Sequence, residues 1–334
     1  MSKQPPIIDN HGRPITYVRL AVTDRCNLRC FYCMPEEGID YLPRQQLLTY
    51  EEMERLLRVL AARGVSKVRI TGGEPFLRRD LMPFLHRVKA IPGIEEIHIT
   101  TNGVLTLPHV PELKQLGIKS INLSLDTLDR ERFFRITRRD ELDAVMATFH
   151  ALLQHDIQVK INAVVMEGQN TEDIVPLARL AAQYPVSVRF IEEMPFNGVG
   201  SNHPSLTWNY RRILDELKTA FPELHQGYKE LYATAENFVI PGHAGSLGII
   251  AAYSRTFCGT CNRIRVTAQG GLKTCLYGND VLNTRDMLRS GASDETLAEA
   301  LLEVFGRRAK DGYEAEANSH LIMPGFASMS TIGG

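Results

Sequence analysis

The stretch Tyr17-Val18-Arg19-Leu20-Ala21-Val22-Thr23-Asp24-Arg25-Cys26-Asn27-Leu28-Arg29-Cys30-Phe31-Tyr32-Cys33 decides how this chain is read. Its first part, residues 16–22, has the β-branched, alternating character of a strand. Its second part spaces three cysteines as C-x3-C-x2-C on the loop leaving that strand. Three thiolates on one loop cannot complete a four-ligand zinc site. They suit a [4Fe–4S] cluster with one iron left without a cysteine, free to bind a substrate or cofactor. The competing reading is a zinc knuckle with a fourth ligand elsewhere in the chain.

Outward from this loop, residues 15 to about 220 alternate β-branched runs with helical stretches. Strands are predicted over 16–22, 67–71, 96–100, 120–125, 158–164 and 187–191. Helices are predicted near 50–63, 80–90, 109–116, 140–155, 171–183 and 207–219. Thr49 and Glu52 have capping-box spacing, and Asn170 with Asp173 repeats it in a looser form. Strands followed repeatedly by helices are βα units, and such units build a parallel sheet. Six units are fewer than the eight of a closed barrel. The expected fold class is therefore α/β, a partial (β/α)6 TIM-like barrel over residues 1–222. A C-terminal extension over residues 223–334 is expected to close the barrel opening. It holds short extended stretches at 235–240, 247–252, 263–267 and 271–275, helices near 283–290 and 294–307, and a tail ending in Gly333-Gly334.

The chain has 334 residues, with 38 Lys+Arg against 39 Asp+Glu, a formal net charge of -1. That balance argues against a general nucleic-acid coat. Hydrophobic residues at 44% and charged residues at 23% exclude gross disorder. No apolar run approaches the roughly 18–20 residues of a membrane span, and the N-terminal residues lack the apolar core of a signal peptide. A cytoplasmic location without a membrane partner is expected. Six cysteines are too few for a disulfide scaffold, and in a reducing compartment they point to ligands or redox groups. They fall in two sets of three, Cys26, Cys30 and Cys33, then Cys258, Cys261 and Cys275, with none between. A zinc ribbon at the second set would need His225 or His243 as a fourth ligand.

Each predicted strand carries polar residues on one alternating face. Arg19 goes with Tyr17 and Thr23, Arg69 with Lys67 and Thr71, His98 with Thr100, Asn122 with Ser124, Lys160 with Asn162, and Arg189 with Ser187. Helices cover the outer face of a βα barrel, which must be apolar. The polar set must then face the lumen, where several unpaired cations would be costly. A polyanionic ligand resolves the conflict. Arg263 and Arg265 repeat the pattern just after Cys261, and the planar guanidinium fork suits phosphate. The plainer alternative pairs some of these cations with Glu74, Asp126, Glu192 or Glu193.

Thr71-Gly72-Gly73-Glu74-Pro75 follows the second strand; alone it is a Gly-rich βα turn. Beside the cysteine loop it resembles the Gly-Gly-Glu-Pro motif of the radical S-adenosylmethionine (SAM) superfamily. With the second cysteine set, Leu123-Ser124-Leu125-Asp126, Cys258 to Arg265 and the terminal glycines, nearly the whole chain resembles the GTP 3′,8-cyclase family of molybdenum cofactor biosynthesis. The resemblance implies that Cys26, Cys30 and Cys33 hold one [4Fe–4S] cluster and Cys258, Cys261 and Cys275 a second. It implies SAM contacts at Tyr32, Gly73, Ser124 and Met194. It implies GTP contacts at Arg19, Arg69, Thr100, Lys160, Arg263 and Arg265, with Arg263, Arg265, Gly333 and Gly334 at the reacting centre.

The implied reaction starts with a 5′-deoxyadenosyl radical that takes hydrogen from C3′ of GTP. C3′ then bonds to C8 of guanine. Implied partners are a flavodoxin- or ferredoxin-type electron donor and, functionally, cyclic pyranopterin monophosphate synthase; the chain would be a monomer or homodimer. Two other readings stay open on the residues: a peptide-modifying radical SAM enzyme, and a metal- or cluster-bearing binding module without catalysis.

Overall fold

The computed structural model describes residues 5–196, 206–319 and 328–333. Along the chain its strands are β1 (Tyr17–Ala21), β2 (Lys67–Thr71), β3 (Glu96–Thr101), β4 (Ser120–Ser124), β5 (Gln158–Val165), β6 (Ser187–Glu192), β7 (His225–Gln226), β8 (Glu236–Val239), β9 (Ser246–Ile250), β10 (Arg263–Val266), β11 (Gly271–Lys273) and β12 (Leu282–Asn283). The chain divides into two units, one made of Met1–Asn27, Ile39–Ile99 and Cys258–Gly334, the other of Leu28–Gly38 and Thr100–Phe257.

In the first unit the strand order is β12-β11-β10-β1-β2-β3. Strands β10, β1, β2 and β3 run parallel, while β11 and β12 are added antiparallel. Alternate residues Val18, Leu20, Val68, Ile70, Ile264 and Val266 are buried, as are Met53, Leu56, Leu57 and Leu60 of helix Tyr50–Ala62 and Phe84, Leu85 and Val88 of helix Leu81–Lys89. Each such side chain contributes about 1.5–3 kcal/mol of burial. The predicted capping box forms: Glu52 N–H donates to Thr49 Oγ1 at 3.2 Å, and Thr49 N–H donates to Glu52 Oε2 at 2.7 Å.

In the second unit the order is β4-β5-β6-β9-β8-β7. Strands β4, β5, β6 and β9 are parallel, and β8 and β7 follow antiparallel. The last third of the chain therefore adds strands in both units. Strands β9 and β10, read in the sequence only as short extended stretches, join in parallel beside β6 and β1.

Two local features differ from expectation. Helix Arg130–Thr137 has no counterpart in the sequence reading, because it is short, rich in Arg and Glu, and only Phe133, Ile136 and Thr137 of its eight residues are buried. Asp129 caps it by accepting from Arg132 N–H at 2.8 Å. Asn170 does not cap the helix it precedes. Its amide donates to the carbonyls of Asp126 at 3.0 Å and Val164 at 2.8 Å, and its Oδ1 accepts from Met166 N–H at 2.9 Å. A longer-range demand of the backbone after β4 and β5 outcompetes the local cap.

Candidate active site

The first unit holds Arg19, Arg69, Gly73, Arg263 and Arg265, together with Cys26, Cys258, Cys261, Cys275 and Gly333; Gly334 lies outside the described residues. Register aligns the cations. Arg19 is level with Arg69 on one side and Arg265 on the other. Lys273 is level with Arg265, and His98 with Arg69. Residues level across paired strands share a face, so one row reads Lys273, Arg265, Arg19, Arg69, His98. The adjacent row reads Arg263, Tyr17, Lys67, Glu96.

Electrostatics show how crowded the first row is. Burial, with Arg69 and Arg263 close by, brings Arg19 down to about 10 even though the Tyr17 phenol favours its charge. Its Nε is buried without a hydrogen-bond partner. Burial, then Arg19 and Arg263, holds Arg265 well below the ordinary range. Burial pushes the Tyr17 phenol up, but Arg69, Arg19 and Lys67 outweigh it and bring it to about 8. Like charges in one buried row oppose each other, and an anionic ligand relieves that opposition.

Pairing explains part of the polar face. Lys67 Nζ lies 2.8 Å from Glu96, which also accepts from His98 Nε2 at 2.7 Å. Three of the four carboxylates suggested as partners serve other donors, Glu74 accepting from Phe76 N–H at 3.1 Å. Asp126 accepts from Tyr32 and Val164 N–H. Glu192 accepts from Tyr210 N–H at 2.7 Å and from the Ser254 N–H and hydroxyl.

The glycine motif packs on the chain that leads into Cys26. Gly73 N–H donates to the Thr23 carbonyl at 2.9 Å, and Glu74 N–H to the Arg25 carbonyl at 2.7 Å. A Cβ on Gly73 would stand 2.2 Å from the Arg25 carbonyl oxygen, and one on Gly72, where φ is +144°, 2.4 Å from that of Thr23. Only glycine permits this approach. Gly333 (φ +84°) lies against Ala21 and Thr71, and its carbonyl accepts from Arg265 Nη1.

The second cysteine set is complete in this unit. Burial pushes the Cys261 thiol up, yet Arg263 and Arg308 outweigh burial and bring it to about 6. It is therefore largely thiolate at neutral pH, the ligating form. Burial and the charge of Cys261 raise Cys275. Among the described residues no three His, Cys, Asp or Glu converge as a single metal ion requires. The three cysteines are half-buried, Cys261 N–H donates to the Cys258 carbonyl at 3.1 Å and the charge of Cys261 reaches Cys275; such a set fits a multi-iron cluster, which takes each cysteine at a different iron. Arg13, Asp9 and Arg308, none singled out in the sequence, surround this set. The two histidines suggested for a zinc ribbon belong to the second unit: His225 Nδ1 lies 3.1 Å from the Glu223 carbonyl, and His243 packs edge-on against Phe221.

The second unit holds Cys30, Cys33, Tyr32, Thr100, Ser124, Lys160 and Met194. Cys33 N–H and Met34 N–H both donate to the Cys30 carbonyl, at 2.9 and 3.0 Å, closing a tight turn. The unpredicted helix Arg130–Thr137 carries that turn. Its terminal carbonyls at Thr137 and Ile136 accept from Arg29 N–H at 2.9 Å and Phe31 N–H at 3.1 Å. Arg138, at φ +56°, donates to the carbonyls of Arg29 and Met34. The Tyr32 hydroxyl donates to Asp126 at 2.8 Å. Burial, then the charges of Asp126, Cys30 and Cys33, hold Tyr32 above its ordinary pKa. Ser124 ends β4, Lys160 stands level with Asn122 and Ser187, and Arg189 with Asn162. Met194 is half-buried just beyond β6. Arg189 Nε donates to Ser187 at 3.4 Å.

Residues 20–181 match the model of the Radical SAM superfamily, and residues 186–314 the model described as Molybdenum Cofactor Synthesis C. These matches define the class: a radical SAM protein whose C-terminal part is of the molybdenum cofactor type. A GTP 3′,8-cyclase from Heliobacterium modesticaldum is 43% identical over 98% of this chain and 100% of its own. Molybdenum cofactor biosynthesis protein 1 from Bos taurus is 42% identical over 91% of this chain and 48% of its own, so the chain spans about half the length of that relative. The chain belongs to the GTP 3′,8-cyclase family. The crystal structure of Streptococcus suis SuiB matches with a TM-score of 0.62 at 16% identity, covering 88% of this chain and 67% of that one. That likeness concerns the fold, which is the α/β, partial TIM-like barrel class expected from the alternation of strands and helices. Among the described residues no helix is long and apolar enough to cross a membrane.

Proposed function

We propose that this chain converts GTP to (8S)-3′,8-cyclo-7,8-dihydroguanosine 5′-triphosphate, the first step of molybdenum cofactor biosynthesis. The observation that carries the reading is the in-register row Arg265, Arg19, Arg69, in which the buried Nε of Arg19 lacks a partner, whereas Lys273 at the end of the row is paired with Asp280 at 3.5 Å. A triphosphate supplies the missing charge and acceptors. When bound, the first cluster and SAM would supply the radical chemistry that activates the ribose of GTP.

The chain's residues bind, orient and enclose. Cys26, Cys30 and Cys33 hold the first [4Fe–4S] cluster, and Tyr32, Gly73, Ser124 and Met194 contact SAM. Arg19, Arg69, Thr100, Lys160, Arg263 and Arg265 bind GTP. Cys258, Cys261 and Cys275 would hold a second [4Fe–4S] cluster. The Arg265–Gly333 hydrogen bond supports a role for the glycine tail in covering the substrate. The electron donor is of flavodoxin or ferredoxin type, and the product passes to cyclic pyranopterin monophosphate synthase in the cytoplasm.

The test is an anaerobic assay of the reconstituted chain with GTP, SAM and a reductant. Formation of 5′-deoxyadenosine with a cyclised GTP product supports the proposal. Formation of 5′-deoxyadenosine while GTP stays intact in every mixture overturns it.

A further inference from the structure

Asp9, Arg13 and Arg308 form a buried ionic cluster that the cyclisation reading does not use. Asp9 Oδ2 lies 2.7 Å from Arg13 Nε and 3.2 Å from Arg308 Nη1, with all three side chains under a tenth exposed. Burying an ion pair confers little net stability, so the arrangement is informative through what its guanidiniums hold. Arg308 donates to the carbonyls of Cys261 at 2.9 Å, Arg263 at 2.8 Å and Thr274 at 3.1 Å. Its Nη2 also lies 3.4 Å from Cys261 Sγ. Arg13 donates to the carbonyls of Cys258 at 3.2 Å, Ala309 at 2.9 Å and Lys310 at 2.6 Å.

One guanidinium therefore joins both arms of the second cysteine set, the segment around Cys261 and the residue before Cys275. A second guanidinium joins the first arm at Cys258. Asp9 fixes both. Of these two guanidiniums it is Arg308 that reaches a sulfur atom, its fork spanning the backbone and the thiol together, on a sulfur that the Arg263 side chain also hydrogen-bonds.

We propose that Arg308 is a positioning residue for the second cysteine set, holding its two arms in register and raising the reduction potential of the cluster through an N–H donated to Cys261 sulfur. This rests on the reading of Cys258, Cys261 and Cys275 as cluster ligands. A cation and a donor beside a ligating sulfur favour the reduced, more negative cluster. Within the cysteine set Arg13 reaches backbone only, so its replacement is expected to leave the potential unchanged.

The experiment uses the full chain carrying Cys26→Ala, Cys30→Ala and Cys33→Ala, so that a single cluster is read. After anaerobic reconstitution this parent is expected to hold about four irons per chain. A parent without iron overturns the two-cluster reading, independently of Arg308. In that parent Arg308→Met, Arg308→Lys and Arg13→Lys are compared by iron retention against a chelator and by EPR-monitored redox titration.

Arg308→Met is expected to lose iron faster and to shift the midpoint to a more negative value. Arg308→Lys keeps the charge but not the fork, and is expected to shift less in the same direction while also losing iron faster. Arg13→Lys is expected to lower thermal stability with the parent's potential kept. If Arg308→Met fails to fold, as circular dichroism of the apoprotein shows, Arg308→Lys decides by the same two readouts. Potentials equal to the parent's in every folded Arg308 variant overturn the proposal, and so does an Arg13→Lys shift as large as that of Arg308.

Discussion

The Tyr32 hydroxyl donates to Asp126 Oδ2 at 2.8 Å, tying the residue between Cys30 and Cys33 to the loop that follows β4. Asp126 spends its other oxygen on Val164 N–H at 2.8 Å. Burial pushes this carboxyl up to about 6 from its ordinary 3.8, although both hydrogen bonds pull it down. A raised carboxyl favours folding fully below the unfolded value and loses that contribution as pH rises through the folded one. The apoprotein should thus lose roughly 3 kcal/mol, relative to Asp126→Asn, between about pH 4 and 6.5. Urea denaturation of both proteins across that range checks this. A wild-type minus variant difference that does not change with pH would refute it.

His98 gives the opposite slope. Burial brings it down to about 4 despite the hydrogen bond it donates to Glu96, and Arg69 and Lys67 add to the shift. A depressed histidine contributes stability above its unfolded pKa near 6.5, and that stability is lost as pH falls through 4. Relative to His98→Gln, wild-type apoprotein should lose about 3 kcal/mol on acidification across this window. The same urea series reads it, and parallel profiles for the two proteins would contradict the assignment.

Gly73→Ala tests why the glycine motif sits beside the first cysteine loop. The new Cβ would meet the Arg25 carbonyl oxygen at 2.2 Å, so the segment entering Cys26 must move. Iron at the first set should be lost while the second set keeps its own, lowering the total from about eight to about four per chain. An unchanged iron count after reconstitution would show that the segment tolerates the methyl.

Arg19→Ala addresses the cation row. Removal of a charge-assisted phosphate contact should weaken GTP binding by about 1.5–3 kcal/mol, read by isothermal titration calorimetry. Cleavage of SAM without GTP should survive, since Arg19 is assigned to the substrate. Unchanged GTP affinity would remove the triphosphate from this row.

Much of the site was legible because its signals are local. The C-x3-C-x2-C spacing, the glycine pair and the alternation of Tyr17, Arg19 and Thr23 each lie within one element or its next loop. The strand over 67–71 needed only its own β-branched residues. Helix Arg130–Thr137 was not legible, because its buried face is three residues wide and its task is to receive Arg29 and Phe31.

By itself, then, the sequence determined the βα alternation, the cysteine sets and the polar face of each strand, since periodicity and spacing are properties of neighbouring residues. Tertiary structure alone decided which cations share a row and which are neutralised. Lys67 finds Glu96 one strand away, whereas Arg19 meets Arg69 and Arg265. It alone joined Asp9 to Arg308, 299 positions apart. Partners in such pairs are chosen by strand register and packing, and no local pattern in the chain encodes them.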